Sequence, residues 1–167
     1  MARRARSARS EPGAARPSAT AYVDGLKLLA RRELSEHQVR QRLARKGHDA
    51  DAIDAAVSRL RAERAIDDAR VAEAIARTET AVKRRGRVRV SMQIARAGIA
   101  KTIATQTVDE VFAGLDDEAL LEAALGRRLR GRERIEDDRE FQRLYRYLVG
   151  QGFEHDRVMR ALEQRRR

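Results

Sequence analysis

The sequence predicts an all-α protein: three tandem three-helix repeats forming an elongated, curved, right-handed or solenoid-like array behind a disordered basic N-terminal tail. Three observations predict it. Apolar residues recur at helical spacing along nearly the whole chain beyond residue 20. A frame of apolar residues around a glycine occurs three times. Apolar side chains make up 42% of the 167 residues, yet only three tyrosines and three phenylalanines are among them, so small and branched aliphatics must fill a core of closely packed helices. The one strand-like alternation, RVRV at residues 87–90, is too short to outweigh its helical surroundings.

Residues 1–20, MARRARSARSEPGAARPSAT, hold both prolines, five arginines, one acid and no large aliphatic residue after Met1. Such a segment buries too little surface to offset the entropy of ordering it, which predicts a disordered tail. An organelle transit peptide would share the Arg and Ser content, but this segment lacks an apolar face to insert.

The first repeat is expected over residues 21–66, its opening helix at TAYVDGLKLLARRE. Val39 and Leu43 lie eight and four residues before Gly47, and Ile53 and Val57 follow it. Ser35 with Gln38 forms a capping box for the helix ahead of the glycine, and Asp49 or Asp51 caps the next. The second repeat, 67–115, opens at DARVAEAIARTETAVK and sets Val90 and Ile94 before Gly98, with Ile99, Ile103 and Val108 after it. The third, 116–167, opens at DEALLEAALGRRL and sets Leu144 and Leu148 before Gly152, with Phe153, Val158 and Leu162 after it. Each glycine suits the left-handed residue that ends a helix. Units of about 50 residues are marginal alone, so the repeats are expected to stack and share one continuous apolar core.

No cysteine is present, which excludes disulfides and thiolate metal sites and suits a reducing compartment. No apolar run approaches the roughly 20 residues that span a bilayer or the 7 to 15 of a signal-peptide core, so a soluble cytoplasmic protein without membrane contact is expected. With 37 basic against 26 acidic side chains the chain carries +11, which predicts attraction to a polyanion, either nucleic acid or an acidic protein groove.

Catalytic constellations are thin. His37, His48 and His155 lack the i, i+4 pairing of a helical metal site. Asp67–Asp68, Asp116–Asp117 and Asp137–Asp138 could serve two-metal chemistry, but the first two pairs fall at repeat junctions, where aspartate caps the next helix. AGIAKT at 97–102 imitates a phosphate loop without the glycine before Lys101 or a preceding strand. Phe141, Tyr145, Tyr147 and Phe153 cluster in the last repeat as core rather than as a base-stacking platform. No catalytic, cofactor-binding or metal-binding residue is expected, hence no enzyme and no cofactor.

The charge map singles out a working surface. From Thr80 to Val108 there is no acidic residue, whereas Lys83, Arg84, Arg85, Arg87, Arg89, Arg96 and Lys101 are all basic. Such a block could meet phosphates or the acidic groups of a protein groove. Smaller sets are Arg31 and Arg32, then Arg40, Arg42, Arg45 and Lys46, with Arg42, Arg45 and Lys46 spaced to share one helix face, and the RRLRGRER stretch from Arg127. Arg165, Arg166 and Arg167 read as a frayed helix end. A glycine-linked helix pair also resembles a helix-turn-helix, which would make the chain a direct nucleic-acid binder. A groove-reading helix wants Arg, Asn, Gln or Ser at its start, but DADAID, GIAKTIA and FEHDRV offer mainly acids and alanine, so only sequence-nonspecific binding stays open.

Several fragments, ARRELS (30–35), LARKG (43–47), IDDARVA (66–72), RGRVRVSMQIARAGI (85–99) and GF (152–153), resemble the RecX regulatory proteins, bacterial modulators of the RecA recombinase, over roughly residues 21–165. Leu34 stands where that family usually has an aromatic, and Gln93 where it usually has Glu. The resemblance implies a crescent of three helical repeats with no chemistry of its own. It would lie in the groove of the RecA filament on single-stranded DNA as a monomer, with weak direct DNA contact possible. It would block filament growth or promote disassembly, thereby inhibiting ATP hydrolysis, recombination and the co-protease activity of the SOS DNA-repair response. A rigid arc touching several protomers gains avidity from linked weak contacts.

Overall fold

Helix-capping residues fix where the chain turns, and the computed structural model, which describes residues 18–166, follows them closely. Nine α-helices are found among the described residues, and no strand. They are α1 Ser18–Leu29, α2 Glu36–Arg45, α3 Ala50–Ala62, α4 Asp68–Arg77, α5 Arg87–Arg96, α6 Lys101–Ala113, α7 Asp117–Leu129, α8 Asp138–Gly150 and α9 His155–Gln164. They form three tandem three-helix repeats, α1–α3, α4–α6 and α7–α9. Ser35 and Gln38 make the reciprocal capping box of α2. Asp49 caps α3, Asp67 caps α4, Asp116 accepts two amides of α7, and Asp137 caps α8. Gly47, Gly98 and Gly152 follow α2, α5 and α8 at φ of +85°, +75° and +90°, the left-handed conformation their positions require. The RVRV segment is the first turn of α5, because only Val90 of its valines faces inward, one turn from buried Ile94.

Both ends of α1 and the end of α4 differ from expectation, α1 stopping at Leu29 rather than at Glu33. Helix α1 begins at Ser18, inside the segment expected as tail, because the residues after Pro17 are small or polar and join the amphipathic helix behind them. Residues 1–17, the rest of that segment, lie outside the described residues. Helix α4 ends at Arg77, and Thr78–Val82 continue it as a π-helical turn. There the hydroxyls of Thr78 and Thr80 bond back to the carbonyls of Ala74 and Ala76, both at 2.9 Å, and compete with the regular helical ladder.

The core is divided, contrary to the expected continuous one. Leu34, Val39, Leu43, Ile53, Val57, Leu60 and Ile66 form a cluster within the first repeat. The second and third repeats share a single larger cluster that includes Val90, Ile94, Leu125, Leu148 and Leu162. Burying each large aliphatic contributes about 1.5–3 kcal/mol, so this shared cluster holds most of the apolar stabilisation. The reason for the division is the chemistry of the first junction. There the buried Ser35 hydroxyl donates to the Ala97 carbonyl, the Glu36 amide donates to Asp68 Oδ1 at 2.8 Å, and Arg70 pairs with Glu33 at 2.5 Å.

Both junctions nevertheless have one geometry. The glycine turn of a repeat packs on the start of the second helix in the repeat before it. A Cβ on Gly98 would lie 2.5 Å from the His37 Cβ, and one on Gly152 would lie 2.9 Å from the Arg89 Cα. At the second junction the Gly86 amide donates to the Gln151 carbonyl at 3.0 Å and the Val88 amide to the Gly152 carbonyl at 3.2 Å. Gly86 has its own constraint, since a Cβ there would stand 2.7 Å from the Phe153 nitrogen. Gly47 has no repeat before it, and a Cβ there would meet nothing within 4 Å.

Candidate partner-binding surface

The acid-free block from Thr80 to Val108 receives its counter-ions from residues just outside it. Glu79, 4% exposed, lies in the π-helical turn, and Lys83 Nζ meets its Oε1 at 2.6 Å while Arg85 pairs with its Oε2. Burial pushes the Glu79 carboxyl up, but the bonds from Lys83 and Arg85 outweigh it and hold the carboxyl below its ordinary value. At the other end Asp109 pairs with Arg87, whose guanidinium also stands 5.0 Å from the centre of the Phe112 ring. Three of the seven basic residues are therefore neutralised internally.

Arg84, Arg89, Arg96 and Lys101 make no ion pair among the described residues. Arg84 sits in the left-handed region at φ 54°, closing the π-helical turn. The backbone of Arg89 carries the Gly152 turn of the third repeat. Arg96 ends α5 and lines, with Lys83, Glu79, Gln38 and Glu33, a cleft of about 450 Å³ between the first and second repeats. Lys101 opens α6 and borders a different depression along that helix. The structure thus brings Lys83 and Arg96 together and sets Lys101 apart from them.

In the first repeat Arg31 and Arg32 are exposed beyond α1. Arg42 is half-buried, and its Nη1 is buried without a hydrogen-bond partner among the protein atoms. Burial lowers its guanidinium pKa, and the neighbouring Arg32 and Arg45 lower it further, so these three cations share one unneutralised locus. Lys46 is instead paired with Asp24 at 3.1 Å, and Asp24 also accepts from buried His48 at 3.0 Å. Those two bonds, His48 first, hold the Asp24 carboxyl below its ordinary value. Arg40 is bound to Glu36 and Asp54.

The third repeat uses several of its arginines for structure, whereas Arg130, Arg134, Arg139 and Arg146 make no ion pair among the described residues. Arg127 reaches the Val82 carbonyl, Arg128 stacks 4.4 Å from the Tyr147 ring centre, and Arg132 pairs with Glu136 and Glu140. Arg165 and Arg166, expected as part of a frayed end, pair with Glu122 and Asp138; Arg167 lies outside the described residues. His37, His48 and His155 do not converge, and no group of three or more metal-ligating side chains occurs among the described residues. Asp67 and Asp116 serve as caps, as their junction positions imply. Sequence reasoning missed Glu79 and Asp109 as partners because a window of like charge does not show the acids that fold against it from its edges.

The architecture defines a protein of tandem three-helix repeats that leaves a set of cations unpaired on its surface. Residues 21–60 match the family described as RecX, first three-helix domain. "Regulatory protein RecX" of Halorhodospira halophila is 33% identical over 153 residues, covering 91% of this chain and 91% of the relative. That of Syntrophotalea carbinolica is 31% identical and covers 82% and 90%. The Geobacillus kaustophilus protein of the same name is 32% identical, and the chain spans 52% of its length. The crystal structure of RecX from Lactobacillus salivarius superposes with a TM-score of 0.73 at 16% identity over 88% of this chain and 95% of that one, which shows the shared fold. The chain belongs to the RecX family of regulatory proteins.

Proposed function

We propose that the protein binds the RecA nucleoprotein filament on single-stranded DNA and restrains its growth, ATP hydrolysis, strand exchange and co-protease activity. The observation that carries this reading is the spread of unneutralised cations, Arg32, Arg42 and Arg45 in the first repeat and Arg84, Arg89, Arg96 and Lys101 in the second, on a chain of this family. Units at 21–66, 67–115 and 116–167, each offering a weak contact, add through effective concentration when one array spans neighbouring protomers. The protein acts as a cytoplasmic monomer and supplies no chemistry of its own.

RecA-dependent ATP hydrolysis on single-stranded DNA, titrated with the protein, tests this reading. Inhibition at protein levels well below DNA saturation is expected; full hydrolysis at stoichiometric protein overturns it. A second reading, sequence-nonspecific binding of nucleic acid, draws on the Arg32, Arg42 and Arg45 locus, where a phosphate could satisfy the unpartnered Arg42 Nη1. A bare-DNA titration at matched salt separates the two, since the second reading requires inhibition to follow DNA occupancy.

A further inference from the structure

Setting the repeats in register on Gly47, Gly98 and Gly152 places Arg40, Ser91 and Tyr145 at one position, seven residues before each glycine. In the outer repeats this side chain crosses the groove between the second and third helices. Arg40 pairs with Asp54 on α3, and the Tyr145 hydroxyl bonds His155 Nδ1 on α9, their rings meeting edge to face with centres 5.4 Å apart. In the middle repeat the residue is Ser91, too short to cross. The groove between α5 and α6 is left unbridged at that point, about 350 Å³ in volume against about 320 Å³ for the corresponding groove of the first repeat, with Val88, Ser91, Met92, Thr105 and Val108 along it.

Its lining differs from that of its counterparts as well. Val88 is 52% exposed and Met92 44% exposed. The residues in register with them are His37 and Gln41 in the first repeat and Gln142 and Arg146 in the third, all polar. Two aliphatic side chains are thus left in water beside a depression, where the other repeats carry polar ones. One end of the groove is closed by the Arg87–Asp109 pair. Toward the other, along α6, stands Lys101, without an ion-pair partner among the described residues and on a helix whose first turn carries no acid. The groove therefore offers an apolar slot with Lys101, in the neighbouring depression, one helical turn beyond its Thr105 wall.

We propose that this groove anchors a segment of the protein partner, seating one large apolar side chain between Val88 and Met92 above Ser91 and placing an acidic residue against Lys101. An aliphatic slot without an aromatic platform suits a protein segment rather than nucleic-acid bases. The inference rests on the filament-binding reading above and names where its apolar anchor lies, beside Lys101 of the distributed cations.

The test compares the full chain with Ser91→Tyr, with the double variant Val88→Gln and Met92→Gln, and with Lys101→Glu, in binding to RecA filaments on single-stranded DNA. Tyrosine and glutamine occupy corresponding positions in the other repeats, and Ser91→Tyr and the double variant leave net charge unchanged. Each is expected to keep the parental thermal midpoint and to bind roughly ten-fold more weakly, as loss of one anchor contact does. Parental affinity in folded Ser91→Tyr and in the double variant overturns the groove while leaving filament binding intact. Absence of binding by the parent chain overturns the filament reading itself. Self-association of the parent, measured by sedimentation and abolished by Ser91→Tyr, assigns the groove to a second copy and also overturns the proposal. Should Ser91→Tyr fail to fold, the exposed double variant Val88→Gln and Met92→Gln, which changes no charge, decides the matter on the same readout.

Discussion

The Gly86 amide donates to the Gln151 carbonyl at 3.0 Å, tying the start of α5 to the end of α8. The Ser35 hydroxyl holds the corresponding Ala97 carbonyl at the other junction, so a helix N-terminus receiving a glycine turn is the joint of the array.

From this joint we expect the three turn glycines to differ in tolerance. Gly47→Ala incurs the left-handed strain alone and is expected to lower stability by about 1–2 kcal/mol. Gly152→Ala adds a clash with the Arg89 backbone, and we expect a loss of about 3 kcal/mol or more. Urea denaturation of the two variants checks the order; equal losses would show that the turn is not packed against α5.

Ser35→Ala removes a helix cap and a buried junction bond together. The cap is worth about 1 kcal/mol and the bond about another, so a total of about 2 kcal/mol is expected. Faster amide exchange at Glu36 and in α2, measured by hydrogen–deuterium exchange, should accompany it. Asp49→Ala, which removes only a cap, is expected to lose about half as much.

Glu79→Ala leaves Lys83 and Arg85 without their shared counter-ion. Because both cations reach solvent, the loss is expected at about 1–3 kcal/mol, below that of a fully enclosed pair. Asp24, Glu79 and Glu140 are all held below their ordinary values of 3.8, 4.5 and 4.5. For Asp24 the cause is chiefly the His48 bond and for Glu140 the Arg132 bond; at Glu79 the bonds from Lys83 and Arg85 prevail over burial. A carboxylate with a depressed native pKa stabilises fully above its unfolded value and progressively less as pH falls through its folded one. Stability should therefore be flat above about pH 5 and fall steadily below about pH 4.5, with a shallower fall in Glu79→Gln; thermal midpoints measured across this range check it.

Charge reversal should separate the two kinds of cation. Reversing Arg84 and Arg96 is expected to weaken filament inhibition and flatten its salt dependence while leaving the thermal midpoint near the parental value. Reversing Arg85 and Arg87 should lower the midpoint, because each loses a structural acid. Filament inhibition unchanged by Arg84 and Arg96 reversal would remove them from the contact surface.

The helices and their turns were legible in the sequence because each is punctuated locally. Ser35, Asp49, Asp67 and Asp116 start helices, and Gly47, Gly98 and Gly152 end them, within a few residues of the apolar frame. What folds in from a distance was not legible. The pairing of Arg85 depends on a π-helical turn that moves Glu79 inward, and that turn has no counterpart in the apolar spacing. The division of the core was hidden for a similar reason: whether a junction is polar depends on Ser35 meeting Ala97, 62 residues away. The unbridged groove was visible in principle, once Ser91 is set in register with Arg40 and Tyr145.

The divided core gives the array unequal stiffness. The second and third repeats, fused through Ile94, Leu148 and their neighbours, form a beam, whereas the first is attached through hydroxyl, amide and carboxylate bonds without a shared apolar cluster. Bending under load concentrates at the Glu36–Asp68 seam. A bend at that seam would turn the first repeat while the second and third move as one body.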